Sequence, residues 1–330
     1  MIKLEPLKMN PIMRDYLWGG RKLSERLGKT IEEGQTAAES WEIVDRDDAQ
    51  SVVADGPWKG QTLRQLIAEQ KREMLGDCDS NSHFPLLLKY LDCQRVLSVQ
   101  VHPTDEYGLK MPQPDLGKTE AWYIVDAEPD SVIYAGLKEG VDRLMLAEAI
   151  QDQQTEKVLH EIRPNAGDCI FIPAGTVHAL GAGLLVAEIQ QASDTTFRLY
   201  DWNRVGADGK PRPLHIEQAL AVTNYDSGPV YPVSPKDVAD GWQQLVDCDK
   251  FQLLKASECG SYPIPSADRF VILSVPCGKA LLRWAGGTRS LEVGDSVLVP
   301  AAVTDVEVVI EEPHSTVLRM HGPADTPCLA

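Results

Sequence analysis

Short runs of β-branched and aromatic residues recur along most of the chain, each bounded by glycine, proline or a polar turn. The pattern predicts strands over 96–102, 121–126, 131–137, 168–174, 184–191, 195–202, 269–275, 279–284, 295–301 and 306–310. Apolar residues return at helical spacing in only three stretches, 62–74, 142–159 and 214–224. Many short strands with few helices predict a mainly β protein, an antiparallel barrel or sandwich carrying helical additions. The proline-rich stretch YDSGPVYPVSPK, 225–236, follows the last helical stretch and marks a domain boundary. The expected domains are 1–236 and 237–330.

The chain has 330 residues, enough for two cores. No apolar run approaches the ~20 residues of a membrane helix. The first twenty residues hold no continuous apolar stretch behind their lysines, so no secretory signal is expected and the compartment is expected to be the cytoplasm. With 32 Lys+Arg against 49 Asp+Glu the formal charge is −17, which disfavours nucleic acid and anionic membrane as partners. An anionic ligand would need local positive charge. Seven cysteines contain no Cys-x-x-Cys pair, so neither a cysteine zinc site nor a disulfide framework is expected. The oligomeric state is not legible.

One internal echo stands out. GDCIFIPAGTVH at 167–178 returns as GDSVLVPAAVTD at 294–305, in register at an offset of 127 residues. Glycine, aspartate, proline and the alternating apolar positions are kept. Gly175 becomes Ala302, and His178 becomes Asp305.

The chemistry gathers in the first copy. Alternation along 96–102 places Ser98, Gln100 and His102 on one face, so that face lines either solvent or a polar cavity. Glu120 opens the next strand, and His178 follows a Pro-x-Gly turn. Two neutral imidazoles and a carboxylate suit a divalent metal with open positions, and the Gln100 carboxamide adds a neutral oxygen. The same two-His-one-carboxylate set serves iron(II) oxygenases, which is the alternative chemistry. A sugar-binding protein without catalysis is a third reading. Trp18, Trp41, Trp122 and Trp202 fall in the same segments, where each either packs in the core or stacks on a ligand. His83, His160, His215, His314 and His321 have no partner spacing and read as structural or exposed.

The segments 96–102 and 167–178 resemble the two motifs of a cupin barrel, with Gln100 where many cupins have histidine. QVHPTD preceded by FPLLLKYLDCQRVLS, GKTEAW at 117–122 and AEIQQASDTTFRLYDWNR at 187–204 strongly resemble the mannose-6-phosphate isomerase family, type I, in its short bacterial branch. DYLWGG and AESWEI add to it more weakly, and the likeness runs from about Tyr16 to Asn224. The resemblance implies two cupin-like, jelly-roll barrels, the second degenerate and without metal. It implies one zinc ion per chain, held by Gln100, His102, Glu120 and His178, and a sugar phosphate as substrate. Arg198 matches the family's active-site arginine, Lys118 a lysine at the same site, and Asp194 an acidic residue beside the arginine. The implied reaction interconverts mannose 6-phosphate and fructose 6-phosphate through an enediolate. It needs a polarised carbonyl, a stabilised oxyanion and a proton carrier. Lys118, Glu120, Asp194, Glu188 and a metal-bound water remain open as the base. Lys118, Arg198 and Arg204 are the cations available to a phosphate.

Overall fold

The computed structural model describes residues 3–77, 83–205, 209–265 and 269–322. It is mainly β, as the periodicity predicts. All ten expected strands form, most of them trimmed at their ends; 96–102, for example, yields Val99–Val101. Every ladder between the named strands is antiparallel.

Among the described residues the strands build four sheets stacked in layers. A five-stranded sheet, ordered Phe197–Tyr200, Val99–Val101, His178–Leu180, Ile133–Leu137, Leu159–Ile162, faces a six-stranded sheet. The six-stranded sheet runs Cys169–Ile172, Glu120–Ala127, Leu184–Gln191, Leu86–Cys93, Glu39–Ile43, Ile12–Arg14. Between them lie Trp18, Trp122, Ile124, Ile133, Ile170 and Leu180. The outer face of the five-stranded sheet packs Val101, Leu137 and Leu199 against Leu146, Ile150 and Leu220 of the helices Arg143–Gln151 and Ile216–Val222.

Behind the six-stranded sheet, Leu86, Leu88 and Tyr90 meet Ile272, Leu298, Leu318 and Met320 of an eight-stranded sheet. That sheet in turn covers a four-stranded one, with Trp242, Leu254, Val271, Leu273, Leu282 and Val308 between them. The eight-stranded sheet is not made of the C-terminal half alone. Leu7–Asn10 pairs with Ser296–Val299 through Leu7↔Leu298, so the start of the chain is built into the C-terminal sheet.

Strand Leu86–Cys93 is buried along its whole length and was not among the expected strands. It is buried from both faces, so it has no polar alternation, and a short apolar run of that kind does not declare its period. The expected helices are shorter than their patterns. The 142–159 stretch gives a helix capped by the Asp142 side chain on Met145 N, ending at Gln151, then a 3₁₀ turn and the strand Leu159–Ile162. Gln153, at φ 57, turns the chain out of the helix. The 62–74 stretch breaks at Gln70 into Leu63–Glu69 and Lys71–Leu75.

The sequence echo is a structural repeat. Gly167 (φ 94) and Gly294 (φ 84) each open a four-residue strand with backbone that disfavours a side chain. Gly167 N bonds Ile124 O and Ile124 N bonds Asp168 O; Gly294 N bonds Val275 O and Val275 N bonds Asp295 O. Asp168 and Asp295 each accept from the backbone three residues earlier. The turns after the strands close alike, Thr176 N to Pro173 O and Val303 N to Pro300 O. Even the neighbouring strand keeps register: Ile172 pairs with Glu120, and Val299 with Val271.

Candidate metal centre and substrate cavity

His102, Glu120 and His178 come from three different strand ends and meet between the five- and six-stranded sheets. Their ligand atoms all lie within 4.8 Å of one another, and all three residues are buried. Glu120 Oε2 is 3.6 Å from His102 Nε2, and Oε1 is 3.4 Å from His178 Nε2. Each ring is oriented from behind: His102 Nδ1 bonds Thr195 O and His178 Nδ1 bonds Thr176 O, both at 2.9 Å. A carbonyl can only accept, so both Nδ1 atoms carry the proton and both Nε2 lone pairs face inward. Burial drives both imidazoles toward the neutral form, with Lys118 adding to it; His178 falls to about 4 and His102 well below its usual value. Neutral imidazole is the form that ligates.

Both Glu120 oxygens are buried without a hydrogen-bond partner. The nearest cation, the Lys118 ammonium, makes an ion-pair contact of 2.8 Å with Oε2. A buried carboxylate left this way fits a cation-binding role. Pairing of His178 with Gln100 in the strand ladder brings the Gln100 amide to 3.2 Å from His178 Nε2.

Around this centre runs a buried chain of charges. Lys118 Nζ is 3.7 Å from Glu188 Oε1, and Lys89 Nζ is 3.0 Å from the same oxygen and 3.6 Å from Glu39 Oε2. Trp122 Nε1 donates to Glu188 Oε2 at 3.0 Å, and Trp41 Nε1 to Glu39 Oε2 at 2.6 Å. Burial and the Glu188 charge push the Glu120 carboxyl up, with Lys118 pulling the other way. Burial opposes ionisation of Glu188 too, but Lys89 and Lys118 outweigh it and hold that carboxyl below its ordinary value.

The centre opens into a cavity of about 320 Å³ lined by Ser98, Gln100, Lys118, His178, Glu188 and Arg198 among others. Arg198 lines the cavity, with Nε on Ser98 Oγ at 3.2 Å and one terminal nitrogen on Pro213 O at 3.0 Å. Asp194 lines the same cavity and is exposed. Arg204 does not line this cavity: its guanidinium binds Asp201 and Val96 O. Arg212 does, held by a two-pronged bond to Asp201 at 2.7 and 2.6 Å. Trp18 and Trp122 line the cavity, whereas Trp41 and Trp202 do not.

Five of the seven expected site residues, Gln100, Lys118, His178, Asp194 and Arg198, therefore line one cavity, and His102 and Glu120 meet it through His178. Sequence reading missed Lys89, Glu39 and Arg212, and named Glu188 only as one base among several. Lys89 has a signal, a lysine in the middle of the apolar run LLLKYL. Arg212 has none, because it sits in a loop whose path only the fold supplies.

The same cavity invites comparison with known proteins. The family description "Phosphomannose isomerase type I, catalytic domain" matches residues 6–136, which include Gln100, His102 and Glu120. Mannose-6-phosphate isomerase ManA of Bacillus subtilis is 36% identical over 298 residues, covering 90% of this chain and 93% of that one. This chain belongs to the mannose-6-phosphate isomerase family. Another member, the mannose-6-phosphate isomerase of Streptococcus mutans, is 34% identical over 307 residues, covering 91% and 93% of the two chains. The crystal structure of the mannose 6-phosphate isomerase from Bacillus subtilis superposes with a TM-score of 0.87 at 31% identity, over 96% of this chain and all of that one. Among the described residues no helix is long and apolar enough to cross a membrane.

Proposed function

We propose that this protein is a zinc-dependent aldose-ketose isomerase that interconverts mannose 6-phosphate and fructose 6-phosphate by moving a proton between C2 and C1. The reading rests on one observation above the rest, the convergence of the buried His102, Glu120 and His178 donors beside the cavity, with Glu120 Oε1 free of any hydrogen bond and Oε2 met by the Lys118 ammonium. His102, Glu120 and His178 would hold the ion, and Gln100, whose amide nitrogen lies 3.2 Å from His178 Nε2, would add a fourth, neutral ligand once its amide is turned to present the oxygen. Bound there, the ion supplies Lewis-acid polarisation of the sugar carbonyl and its neighbouring hydroxyl.

The chain's own residues do the rest. Arg198, fixed by Ser98 and Pro213, presents a guanidinium to the oxygen on which charge develops in the enediolate. Lys118 touches both the ligand set and Glu188, contacts that support a role in which it would hold or pass the C1/C2 proton. Asp194 stands at the rim, where it can relay a proton from a sugar hydroxyl. Arg212 and Arg198 give this acidic protein the local positive charge that a phosphate requires, and Asp201 fixes the Arg212 fork. The described residues from 237 to 322, with strand Leu7–Asn10 added, would form a second cupin-like barrel that packs against the first and holds no metal. Lys118, Arg198 and Gln100 at this centre favour the isomerase over an iron oxygenase.

His178→Ala removes one of three indispensable donors, so the purified variant should contain no bound zinc and show no turnover. Full metal occupancy in that variant, measured by elemental analysis, would defeat the ligand assignment.

A further inference from the structure

Lys250 of the second barrel reaches the segment that follows the metal-binding His102. Residues 103–105 leave His102, and residues 117–119 carry Lys118 into Glu120. These two segments lie in close contact. A Cβ on Gly117 would stand 2.4 Å from Asp105 N and 2.6 Å from the Thr104 carbonyl carbon, so only glycine permits the approach. Lys118 N donates to Pro103 O at 3.0 Å. Asp105 Oδ1 accepts from Gly117 N at 2.8 Å and from Gln191 Nε2 at 2.9 Å, and Gln191 Oε1 accepts from Thr119 N at 3.0 Å. The Asp105 carboxylate is thus the clasp that joins the two segments bearing His102, Lys118 and Glu120.

The charge of that clasp is balanced from the other barrel. Lys250, on the turn between Gln243–Asp247 and Gln252–Ala256 of the eight-stranded sheet, places Nζ 2.8 Å from Asp105 Oδ2. The Asp105 side chain is 13% exposed and that of Lys250 24%. Burial works against ionisation of Asp105, but the bonds from Lys250, Gln191 and Gly117 outweigh it and hold the carboxyl below its ordinary value. The remaining partner of Lys250 is Asp249, at 2.7 Å and largely exposed.

We propose that Lys250 is a positioning residue for the isomerase centre: by neutralising Asp105 from the C-terminal barrel, it holds the 103–105 and 117–119 segments at the spacing that sets His102, Lys118 and Glu120. The inference rests on the functional reading above and goes beyond it, because it gives the barrel without a ligand set a part in the reaction.

The test is a double-mutant cycle between Lys250→Met and Asp105→Asn, read in two ways. Lys250→Met should lower kcat about tenfold with KM within about twofold, and should speed zinc release into a chelator by a similar factor, the usual scale for residues that orient metal ligands. Lys250→Arg should restore most of both. In an Asp105→Asn background, Lys250→Met should add nothing further, because its effect passes through that carboxylate. Unchanged kcat and zinc release in Lys250→Met would overturn the proposal. So would losses that multiply in the double variant, or a lowered melting temperature with kcat per zinc-loaded protein unchanged. If the parent protein does not turn over mannose 6-phosphate, the functional reading fails, while the zinc-release arm of the cycle still decides the role of Lys250.

Discussion

At Glu120 burial and ligation pull in opposite directions. Burial and the Glu188 charge raise its carboxyl above the ordinary glutamate value into the neutral range, and Lys118 offsets them only in part. A carboxyl raised by folding stabilises the fold while protonated. In metal-free protein that contribution is present below the ordinary carboxylate pKa and is lost as pH rises through the raised one. A cation binds only the ionised form, so metal uptake must expel a proton across the same window. His102 and His178, held below their ordinary value, shift stability the other way, so the Glu120 contribution is read as a difference: relative to Glu120→Gln, the melting temperature of metal-free protein should fall as pH is raised from about 5 to about 8, and the stabilisation that zinc gives the parent should grow. Calorimetry of zinc binding in two buffers of different ionisation enthalpy near neutral pH should show proton release. Heats independent of the buffer would contradict this account of Glu120. At this scale the sequence was legible where alternation speaks: it put Gln100 and His102 on one face of their strand, leaving open whether that face met solvent or a polar cavity. It could not reveal Glu39 or Arg212, whose roles come from neighbours distant in the chain.

Strands place the chemistry because each carries two faces with different duties. In Leu86–Cys93, Lys89 faces the charge chain while Leu86, Leu88 and Tyr90 face the second barrel, where Tyr90 Oη and Ser274 Oγ lie 2.6 Å apart. A strand so used reads as featureless apolar sequence, and for that reason its central place in the six-stranded sheet was not foreseen. Strand Phe197–Tyr200 alternates cleanly and was foreseen. Its Arg198 is pinned by its backbone, N to His215 Nδ1 at 3.2 Å and O from His215 N at 2.8 Å, as well as by its side chain. Burial and the nearby Arg212 lower the Arg198 pKa, yet it keeps its proton, as arginine does. A charge held so rigidly should act on the transition state more than on binding. Arg198→Ala should lower kcat by about 10²-fold or more, and Arg198→Lys, lacking the planar fork, should recover only part of it. A change confined to KM in steady-state kinetics would make Arg198 a phosphate or sugar binder instead.

Across the whole molecule, one architecture is used twice with opposite fillings. The 167–178 and 294–305 corners share glycine conformation, backbone bonds and strand register, yet Val271 stands at the place of Glu120 and Asp305 at the place of His178. Between its sheets the second barrel is packed with Trp242, Leu254, Leu273 and Val308. The echo was visible in the sequence because turn chemistry is local; the mixing of Leu7–Asn10 into the C-terminal sheet was not, since nothing local encodes a pairing across nearly three hundred residues. Asp305, exposed in its turn, should be dispensable: Asp305→Ala should leave zinc content and kcat nearly unchanged, and an ion found at Asp305 would contradict that expectation. The central claim, a metal-dependent isomerase, is tested most directly by a coupled assay that follows fructose 6-phosphate formed from mannose 6-phosphate before chelation, after it, and after zinc is restored. The account predicts turnover, its loss on chelation and its return with zinc. Absence of turnover in the zinc-loaded protein, or turnover that survives complete removal of metal, would contradict it.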